Sequence, residues 1–355
     1  MLDEKKAGFF CTDYLVTVKH GIKTASQMEK ERSTSDPISF SMEYENIPAG
    51  QSSRAYFKLN MFPRTIKKAF YPVRGDLIGQ KKNPYSIPRQ TGEIRVMAVD
   101  IATRANKRND NSIINCARLL PTHKGYQREL VYMESSHGEN VISQALKIKD
   151  IFFDFDCDFL VLDMAQAGIA VFDAMSSITK NEDRDIEYPA FTVMDSEFID
   201  KSVREELSNR TLGVSALPVV FPVSATSRLN NDMAVALRSA LQKKLFKFLC
   251  SETDAENYLL RNNKEFLESK DDLSLKVWLT HPYVQQTLLI LECINLEMNI
   301  VGNMIQLDEG TGLKDRFSSL NYLNYFVTNV LDRDLLREND TVDDFQYVID
   351  LVQST

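Results

Sequence analysis

The sequence predicts a mixed α/β sheet with helices packed on both of its faces. Five short apolar runs have the length and the flanking turn residues of buried β-strands, at residues 93–100, 112–120, 129–133, 159–163 and 217–223. Apolar residues recur with helical spacing at residues 140–153, 167–175 and 229–249. Strands that alternate with helices in this way favour a sheet covered by helices.

The order of these elements gives more detail. The first three strands follow one another with short connections, which predicts an antiparallel meander. Beyond residue 250 we expect a charge-rich, exposed insertion at 251–275 and two helices, at 284–305 and 313–335. Residues 182–212 and 251–280 have the character of insertions and match no pattern that we recognise.

A domain boundary is predicted near residue 90. Residues 62–90 contain four prolines and two glycines, a density that breaks regular structure and is typical of a linker. We therefore expect a first part at residues 1–90 and a main α/β domain at residues 91–355.

Composition excludes several classes of protein. No apolar run is long enough for a transmembrane helix, and Met1 to Phe10 lacks the apolar core of a secretory signal. The five cysteines are scattered without a C-x-x-C pair, and the four histidines lie far apart. A disulfide framework and a zinc site are therefore not expected, and a reducing cytosol fits best.

The charge distribution allows a nucleic-acid partner despite the net charge of -8. Residues 1–90 hold 15 Lys and Arg against 9 Asp and Glu, and residues 54–108 hold 13 basic residues against three acidic ones. A local basic stretch can bind a phosphate backbone even on an acidic protein. A solvated linker explains this stretch equally well.

Three aspartates occupy positions where chemistry is expected. Asp100 and Asp163 each end a predicted strand, and Asp315 lies at the start of the last predicted helix. Strand ends of an α/β sheet open into the crevice where sites form, and carboxylates there select Mg²⁺ or Mn²⁺. Taken singly, each could instead be a turn former or a helix cap, and helix-dipole stabilisation is a strong alternative for Asp315.

Other polar segments are weaker candidates. The segment from His20 to Thr24 lacks the spacing of a phosphate loop, so we expect no ATP site. Asp154, Asp156 and Asp158 lack the glycine and glutamate of a calcium loop and are expected to cap the helix-to-strand connection. Asp110 to Ser112 is expected to close a hairpin, with at most a supporting role near the site.

Four short segments together resemble the successive nuclease motifs of phage large terminase subunits. They are Val99-Asp-Ile-Ala102, Asn109-Asp-Asn-Ser-Ile113, Leu160-Val-Leu-Asp-Met-Ala165 and Lys314-Asp-Arg-Phe-Ser-Ser-Leu320. The upstream stretches Lys19-His-Gly-Ile22, Phe40-Ser-Met-Glu-Tyr-Glu45 and Ala55-Tyr-Phe57 are similar to the end of that family's ATPase half. Each segment is short, and the resemblance rests on their combination and order over most of the chain.

The resemblance implies a ribonuclease H-like mixed sheet flanked by helices and a two-metal-ion endonuclease. Asp100, Asp163 and Asp315 fall on the three acidic positions of the family, as catalytic residues and as ligands of two Mg²⁺ or Mn²⁺ ions. It also implies cutting of double-stranded, concatemeric viral DNA during genome packaging, in the cytoplasm of the bacterial host. The implied partners are the portal protein, the small terminase subunit and the ATPase motor half, with no membrane involved.

The chain departs from the family in one large respect. The phosphate loop and acidic ATPase motif have no counterpart in the sequence, so residues 1–90 would be only the end of the ATPase half and a basic linker. Either the motor half has been removed or it is a separate polypeptide, and we assign no translocation to this chain.

Two other functions remain open from the sequence. One is another ribonuclease H-like nuclease, such as a resolvase or transposase, although no zinc finger or recognition helix is evident. The second is a non-catalytic docking module of the packaging motor whose acidic triad is vestigial.

Overall fold

The protein was analysed as a computed structural model, which describes residues 13–34, 44, 55–75, 83, 85–102, 111–212, 215–268, 273–301, 304–308 and 314–336. The chain divides into two compact units, Met1–Ala55 and Tyr56–Thr355. The smaller unit contains the helices α1 (Tyr14–Lys19) and α2 (Ala25–Thr34). The Asp13 side chain caps α1 by accepting a hydrogen bond from the Leu15 N–H, which satisfies an amide that the helix itself leaves unpaired.

The larger unit alternates strands and helices along the chain. Its described strands are β1 (Arg64–Ile66), β2 (Ile94–Asp100), β3 (Ser112–Thr122), β4 (Gly125–Ser136), β5 (Phe159–Asp163), β6 (Thr179–Asn181), β7 (Ile186–Tyr188), β8 (Phe191–Val193), β9 (Leu217–Val223), β10 (Phe246–Leu249), β11 (Glu297–Val301) and β12 (Met304–Asp308). Its described helices are α3 (Val141–Phe155), α4 (Gln166–Met175), α5 (Lys201–Asn209), α6 (Ser227–Gln242), α7 (Glu252–Asn262), α8 (Lys264–Glu268), α9 (Leu273–Asn295) and α10 (Asp315–Phe326).

Eight of the described strands form one sheet in the order β1-β10-β4-β3-β2-β5-β9-β8. The pairs β2–β3 and β3–β4 are antiparallel, whereas β5, β9 and β8 continue parallel to β2. The predicted mixed sheet flanked by helices is confirmed, and so is the antiparallel meander.

Helices cover both faces of the sheet. Helix α10 covers the face on which the candidate site, described below, is located. The Ser319 hydroxyl of α10 donates to the Ala98 carbonyl of β2 at 3.1 Å. The Phe326 ring of α10 lies 5.3 Å from the Phe159 ring of β5. On the opposite face, the Arg95 side chain of β2 lies over the Phe155 ring of α3. Successive strand residues point to opposite faces, so the β2 residues alternate between these two layers.

Two predicted helices end earlier than expected. The prediction of one helix over 229–249 is wrong at its end, because α6 stops at Gln242 and β10 begins at Phe246. Lys244, between the two elements, has a φ of 56° and thus a left-handed backbone that helps the chain to turn. The predicted helix over 284–305 is also wrong at its end, since α9 ends at Asn295 and the β11–β12 hairpin follows.

Three segments predicted to be linkers or insertions are part of the fold. Residues 251–275 are not an exposed insertion, because α7 and α8 bury Ala255, Leu259 and Phe266 in a second apolar core. Within residues 182–212, β8 joins the main sheet as its edge strand. Within residues 62–90, β1 pairs with β10 at the opposite edge, so part of this predicted linker is a strand.

No helix in the described part of the chain combines the length and the apolar character needed to cross a membrane.

Candidate active site

Asp100 and Asp163 lie side by side at the ends of two neighbouring parallel strands. Val99 of β2 pairs with Leu162 of β5, and the next residue of each strand is the aspartate. The three residues before each aspartate are apolar and fully buried, so the carboxylates mark the place where the sheet meets polar surroundings. The register of the two strands therefore brings both side chains to one level at one end of the sheet.

Both aspartates belong to the face of the sheet that α10 covers. Phe159, four residues before Asp163 on β5, contacts Phe326 of α10, and strand residues four apart share a face. Asn115, which pairs with Ala98, donates from its side chain to the Ser319 hydroxyl of α10 at 2.5 Å. Asp100 lies two residues after Ala98 and is on the same face as it.

Asp315 reaches the same end of the sheet from the start of α10. Its carboxylate accepts a hydrogen bond from the Asn111 N–H at 3.0 Å. Asn111 directly precedes β3, whose Ile113 pairs with Asp100. Because α10 runs from Asn111 toward Phe159, it is antiparallel to β5, and its first residue lies near the ends of β2 and β5.

The surroundings of Asp163 disfavour its charged form. The residue is 7% exposed, and burial raises the pKa of its carboxyl group, although the Ala165 and Met164 N–H groups act in the opposite direction. No Lys or Arg in the described part of the chain forms an ion pair with it. A buried carboxylate without a cationic partner is costly, and a bound cation would remove that cost.

Tyr322 is a neighbour of this pair that the sequence analysis missed. Burial raises the pKa of its hydroxyl first, and the charges of Asp100 and Asp163 raise it further. The phenol is therefore close to both carboxylates and remains protonated. Tyr322 follows Asp315 by seven residues and Ser319 by three, so all three lie on one face of α10. That helical spacing is a signal in the sequence that could have identified Tyr322.

Glu292 of α9 is a second acidic residue that the sequence analysis did not single out. Its carboxylate accepts hydrogen bonds from the Arg316 and Phe317 N–H groups and pairs with the Arg316 guanidinium at 2.5 Å. Burial raises the pKa of Glu292, Arg316 lowers it, and the nearby Asp315 raises it again. Glu292 thus fixes the start of α10, and with it the position of Asp315.

The three predicted ligands do not form a closed cluster. Among the residues that the structure describes, no group of three or more His, Cys, Asp and Glu side chains is close enough to hold a metal ion. The pair of Asp100 and Asp163 supplies the hard oxygen donors that Mg²⁺ and Mn²⁺ prefer, and the buried charge of Asp163 fits a divalent cation. The assignment of Asp100, Asp163 and Asp315 as catalytic residues and metal ligands stays a prediction.

A cleft of about 390 Å³ opens next to this acidic end of the sheet. Residues of α6, β12 and α10 line it, among them Lys314 and Tyr322. Asn321 also lines it, is almost fully buried, and has a side-chain oxygen without a hydrogen-bond partner among the residues that the structure describes. Buried polar atoms without partners are uncommon and point to a ligand or to water.

The remaining sequence candidates have structural roles or lie outside the described residues. Asp158 accepts the Arg95 N–H at 2.7 Å, Asp156 has the left-handed backbone that ends α3, and Asp154 pairs with Arg184. The expectation that all three cap the connection between helix and strand is confirmed for Asp156 alone, because Asp154 lies inside α3 and Asp158 bonds to β2. Asp110 lies outside the described residues, whereas the Ser112 hydroxyl bonds to the Ala102 N–H at 3.0 Å.

The basic stretch at 54–108 is partly neutralised within the protein. Arg64, Arg89 and Arg95 each form an ion pair with a carboxylate of the same chain. The basic residues at 104–108, together with those at 54, 81 and 82, lie outside the described residues. The described part of the stretch therefore offers fewer cations to a phosphate backbone than the sequence suggests.

Comparison with known proteins gives similar structures but no similar sequences. No protein-family model matches the chain, and no curated protein matches it. The chain is similar to the large terminase nuclease of the thermophilic phage G20c with bound magnesium, at 13% identity and a TM-score of 0.41. That match covers 77% of this chain and 98% of the other. The cobalt-bound structure of the same nuclease gives 12% identity and a TM-score of 0.40 over the same shares.

Both structures come from the family that the sequence segments resemble. At this identity and these TM-scores, the function of the chain has to be argued from the site itself.

Proposed function

We propose that the chain is a metal-dependent endonuclease that cuts double-stranded DNA. The observation that carries the proposal is the pairing of Asp100 and Asp163 at one level of neighbouring strands, with Asp163 buried and without a cationic partner. Neighbouring carboxylates supply the hard oxygen ligands that divalent cations prefer.

In this proposal Asp100, Asp163 and Asp315 would hold two Mg²⁺ or Mn²⁺ ions, as ligands and catalytic residues. When bound, such ions activate water and stabilise the leaving oxygen in phosphodiester hydrolysis. Asp315 would have to move toward the pair, since the three carboxylates are not clustered. Its place in the first turn of α10 allows this through a rotation of the side chain, while the start of the helix stays in place.

The other residues of the site position the substrate strand. Lys314 and Asn321 line the cleft that leads to the acidic pair, and they supply a cation and an amide for the phosphate backbone. The protonated Tyr322 hydroxyl lies beside both carboxylates and can donate a hydrogen bond to either of them. Glu292 holds Arg316 and the start of α10, so it maintains the distance between Asp315 and the sheet.

The biological setting follows from the resemblance of the four sequence segments. It is the cutting of concatemeric viral DNA during genome packaging in the cytoplasm of the bacterial host. The expected partners are double-stranded DNA, the portal protein, the small terminase subunit and an ATPase motor half. The division of the chain into residues 1–90 as the end of that half with a basic linker, and 91–355 as the nuclease domain, belongs to the same proposal.

Nicking of supercoiled plasmid tests the proposal. In Mn²⁺ we expect Asp100→Asn to reduce the rate by at least about a hundredfold, because the substitution keeps the shape of the side chain but removes its charge. Asp183→Asn removes a carboxylate from an exposed position and is expected to cut at the parent rate. If Asp100→Asn nicks as fast as the parent, the two-metal assignment is wrong and a docking module becomes the better account.

A further inference from the structure

A second cleft, of about 480 Å³, lies at the other edge of the sheet. It opens between the segment that follows β1 and the helices α7, α8 and α9. The strands β10, β4 and β3 separate β1 from β2, so this cleft is distinct from the acidic pair. Its volume is in the range of small-molecule sites in proteins.

Four tyrosine rings contribute to its walls. Tyr71, Tyr85, Tyr258 and Tyr283 all line the cleft. Two of these rings are held in place, because the Tyr71 hydroxyl donates to the Leu279 carbonyl at 2.5 Å and the Tyr283 hydroxyl donates to the Lys67 carbonyl at 2.7 Å. Fixed aromatic rings lose little entropy when a flat ligand stacks on them.

Tyr258 is the lining residue that a ligand can contact most readily. It is half-buried on α7, and its hydroxyl makes no hydrogen bond to any residue that the structure describes. The Tyr258 hydroxyl lies near those of Tyr71 and Tyr283, because its charge would raise the pKa of both. Asn262 and Asn263 add amide groups along the same wall.

The charged side chains that line the cleft are cationic, although the chain as a whole has a net negative charge. Lys68 and Lys264 line it from different elements, and none of its described lining residues is acidic. The Lys68 ammonium donates to the Ser86 carbonyl at 3.1 Å and forms no ion pair with a described carboxylate. Beside the cleft, the Arg74 guanidinium lies 5.1 Å from the Trp278 ring, which itself contacts Tyr71 and Tyr85.

We propose that this cleft binds a nucleotide within single-stranded DNA, with the base stacked on Tyr258 and the flanking phosphates at Lys68 and Lys264. Stacking on aromatic rings combined with cations along the backbone is how proteins hold unpaired strands. Two lysines on different elements match the two phosphates that flank a nucleotide within a strand. A free mononucleotide offers the same base but a phosphate on one side alone.

Fluorescence anisotropy with a labelled dT12 oligonucleotide tests the proposal. The measurement is made in EDTA, so it does not depend on the nuclease activity proposed for the other site. We expect Tyr258→Leu to weaken binding of dT12 about tenfold, which is the loss of one stacked base. Unchanged binding by Tyr258→Leu, with the parent's circular dichroism spectrum, would overturn the proposal.

The two lysines provide a test on exposed residues, whose replacement leaves the core intact. A plot of log affinity against log salt has a negative slope. The double variant Lys68→Ala with Lys264→Ala should make this slope shallower by about 1.4, because two phosphate contacts are lost. The control double variant Lys180→Ala with Lys201→Ala removes the same charge from exposed positions elsewhere and should keep the parent slope. Equal slopes in both double variants would contradict the phosphate contacts.

Competition experiments distinguish a nucleotide within an unpaired strand from a free nucleotide and from duplex DNA. Unlabelled dT12 should displace the labelled strand at a concentration at least about tenfold below that of dTMP, because dTMP lacks the second phosphate. Displacement by dTMP at the same concentration would overturn the assignment to a strand. Displacement by blunt duplex DNA as effective as that by dT12 would overturn the assignment to an unpaired base.

Discussion

The chemistry of the proposed active site depends on individual carboxylates and on what surrounds them. Asp163 is buried, has a raised pKa and pairs with no described cation, whereas the buried Glu93 accepts hydrogen bonds from both Arg95 and Arg118. Burial alone would raise the pKa of Glu93, but the bonds from Arg118, the Gln90 N–H and Arg95 lower it to about 2. Glu93 is thus a structural carboxylate, and Asp163 has the environment of a ligand.

This contrast predicts that Asp163→Asn raises the stability of the metal-free protein and lowers its nicking activity. Without metal, the variant should melt a few degrees above the parent, because it removes a buried charge that costs on the order of 1 kcal/mol. Mn²⁺ should raise the melting temperature of the parent and have little effect on the variant. Melting curves with and without Mn²⁺ check this, and a variant that is stabilised by Mn²⁺ as much as the parent would contradict it.

Lys149 gives a prediction about pH. It is fully buried, donates to the Ser177 carbonyl at 2.8 Å and to the Thr179 hydroxyl at 2.9 Å, and burial lowers its pKa to about 8. Between pH 8 and the ordinary value of 10.5, the unfolded state binds a proton that the folded state does not. The free energy of unfolding should therefore rise with pH across this window, by up to about 3 kcal/mol.

Urea denaturation of the parent and of Lys149→Met at pH 8 and pH 10 measures this contribution. The difference between parent and variant should increase with pH, since other titrating groups are common to both proteins. Parallel pH profiles would mean that Lys149 keeps its ordinary pKa in the folded state.

At the scale of elements, the close approach of α4 to β5 fixes the position of Asp163. A Cβ atom at Gly168 would overlap the carbonyl oxygen of Asp163, which is backbone and cannot rotate away. Gly168→Ala should therefore displace the end of β5, lower stability by about 1–3 kcal/mol and slow plasmid nicking. Gly75→Ala, where an added Cβ meets nothing within 4 Å, is the matched control and should be near neutral in both measurements.

The sequence predicts those elements whose signals are local. The strands that end in Asp100 and Asp163 are continuous apolar runs, and α3 and α4 have clear helical spacing, so all four were predicted. β1 and β10 were missed, because each is short and is stabilised by pairing across about 180 residues of sequence. The segment at 297–308 pairs with itself as a hairpin, but its apolar residues also fit the helix that was predicted there.

The residues of the candidate site were predictable where they carry a local signal in the sequence. Asp100 and Asp163 stand out because each interrupts an apolar run. Asp315 stood out by its place at the start of the last predicted helix, and the resemblance of its segment supported it. The hydrogen bonds of Glu292 to the start of α10 depend on how helices pack, so Glu292 carried no local signal. Tyr322 carried one, its helical spacing from Asp315, but its contact with both aspartates also depends on packing.

At the scale of the whole larger unit, two sites with different charge lie at different strands of one sheet. The acidic pair at β2 and β5 suits metal ions and hydrolysis, and the aromatic, cationic cleft beside β1 suits an unpaired strand. Cutting and strand binding are thus expected to depend on separate residues. The net charge of -8 gives no guide to either, because local arrangements decide both.

Anomalous scattering from crystals soaked in Mn²⁺ tests the central claim most directly. The account predicts two manganese peaks roughly 4 Å apart, one within bonding distance of Asp100 and Asp163 and one within bonding distance of Asp100 and Asp315. The absence of manganese between Asp100 and Asp163 in well-ordered crystals, at a concentration that supports nicking, would contradict it.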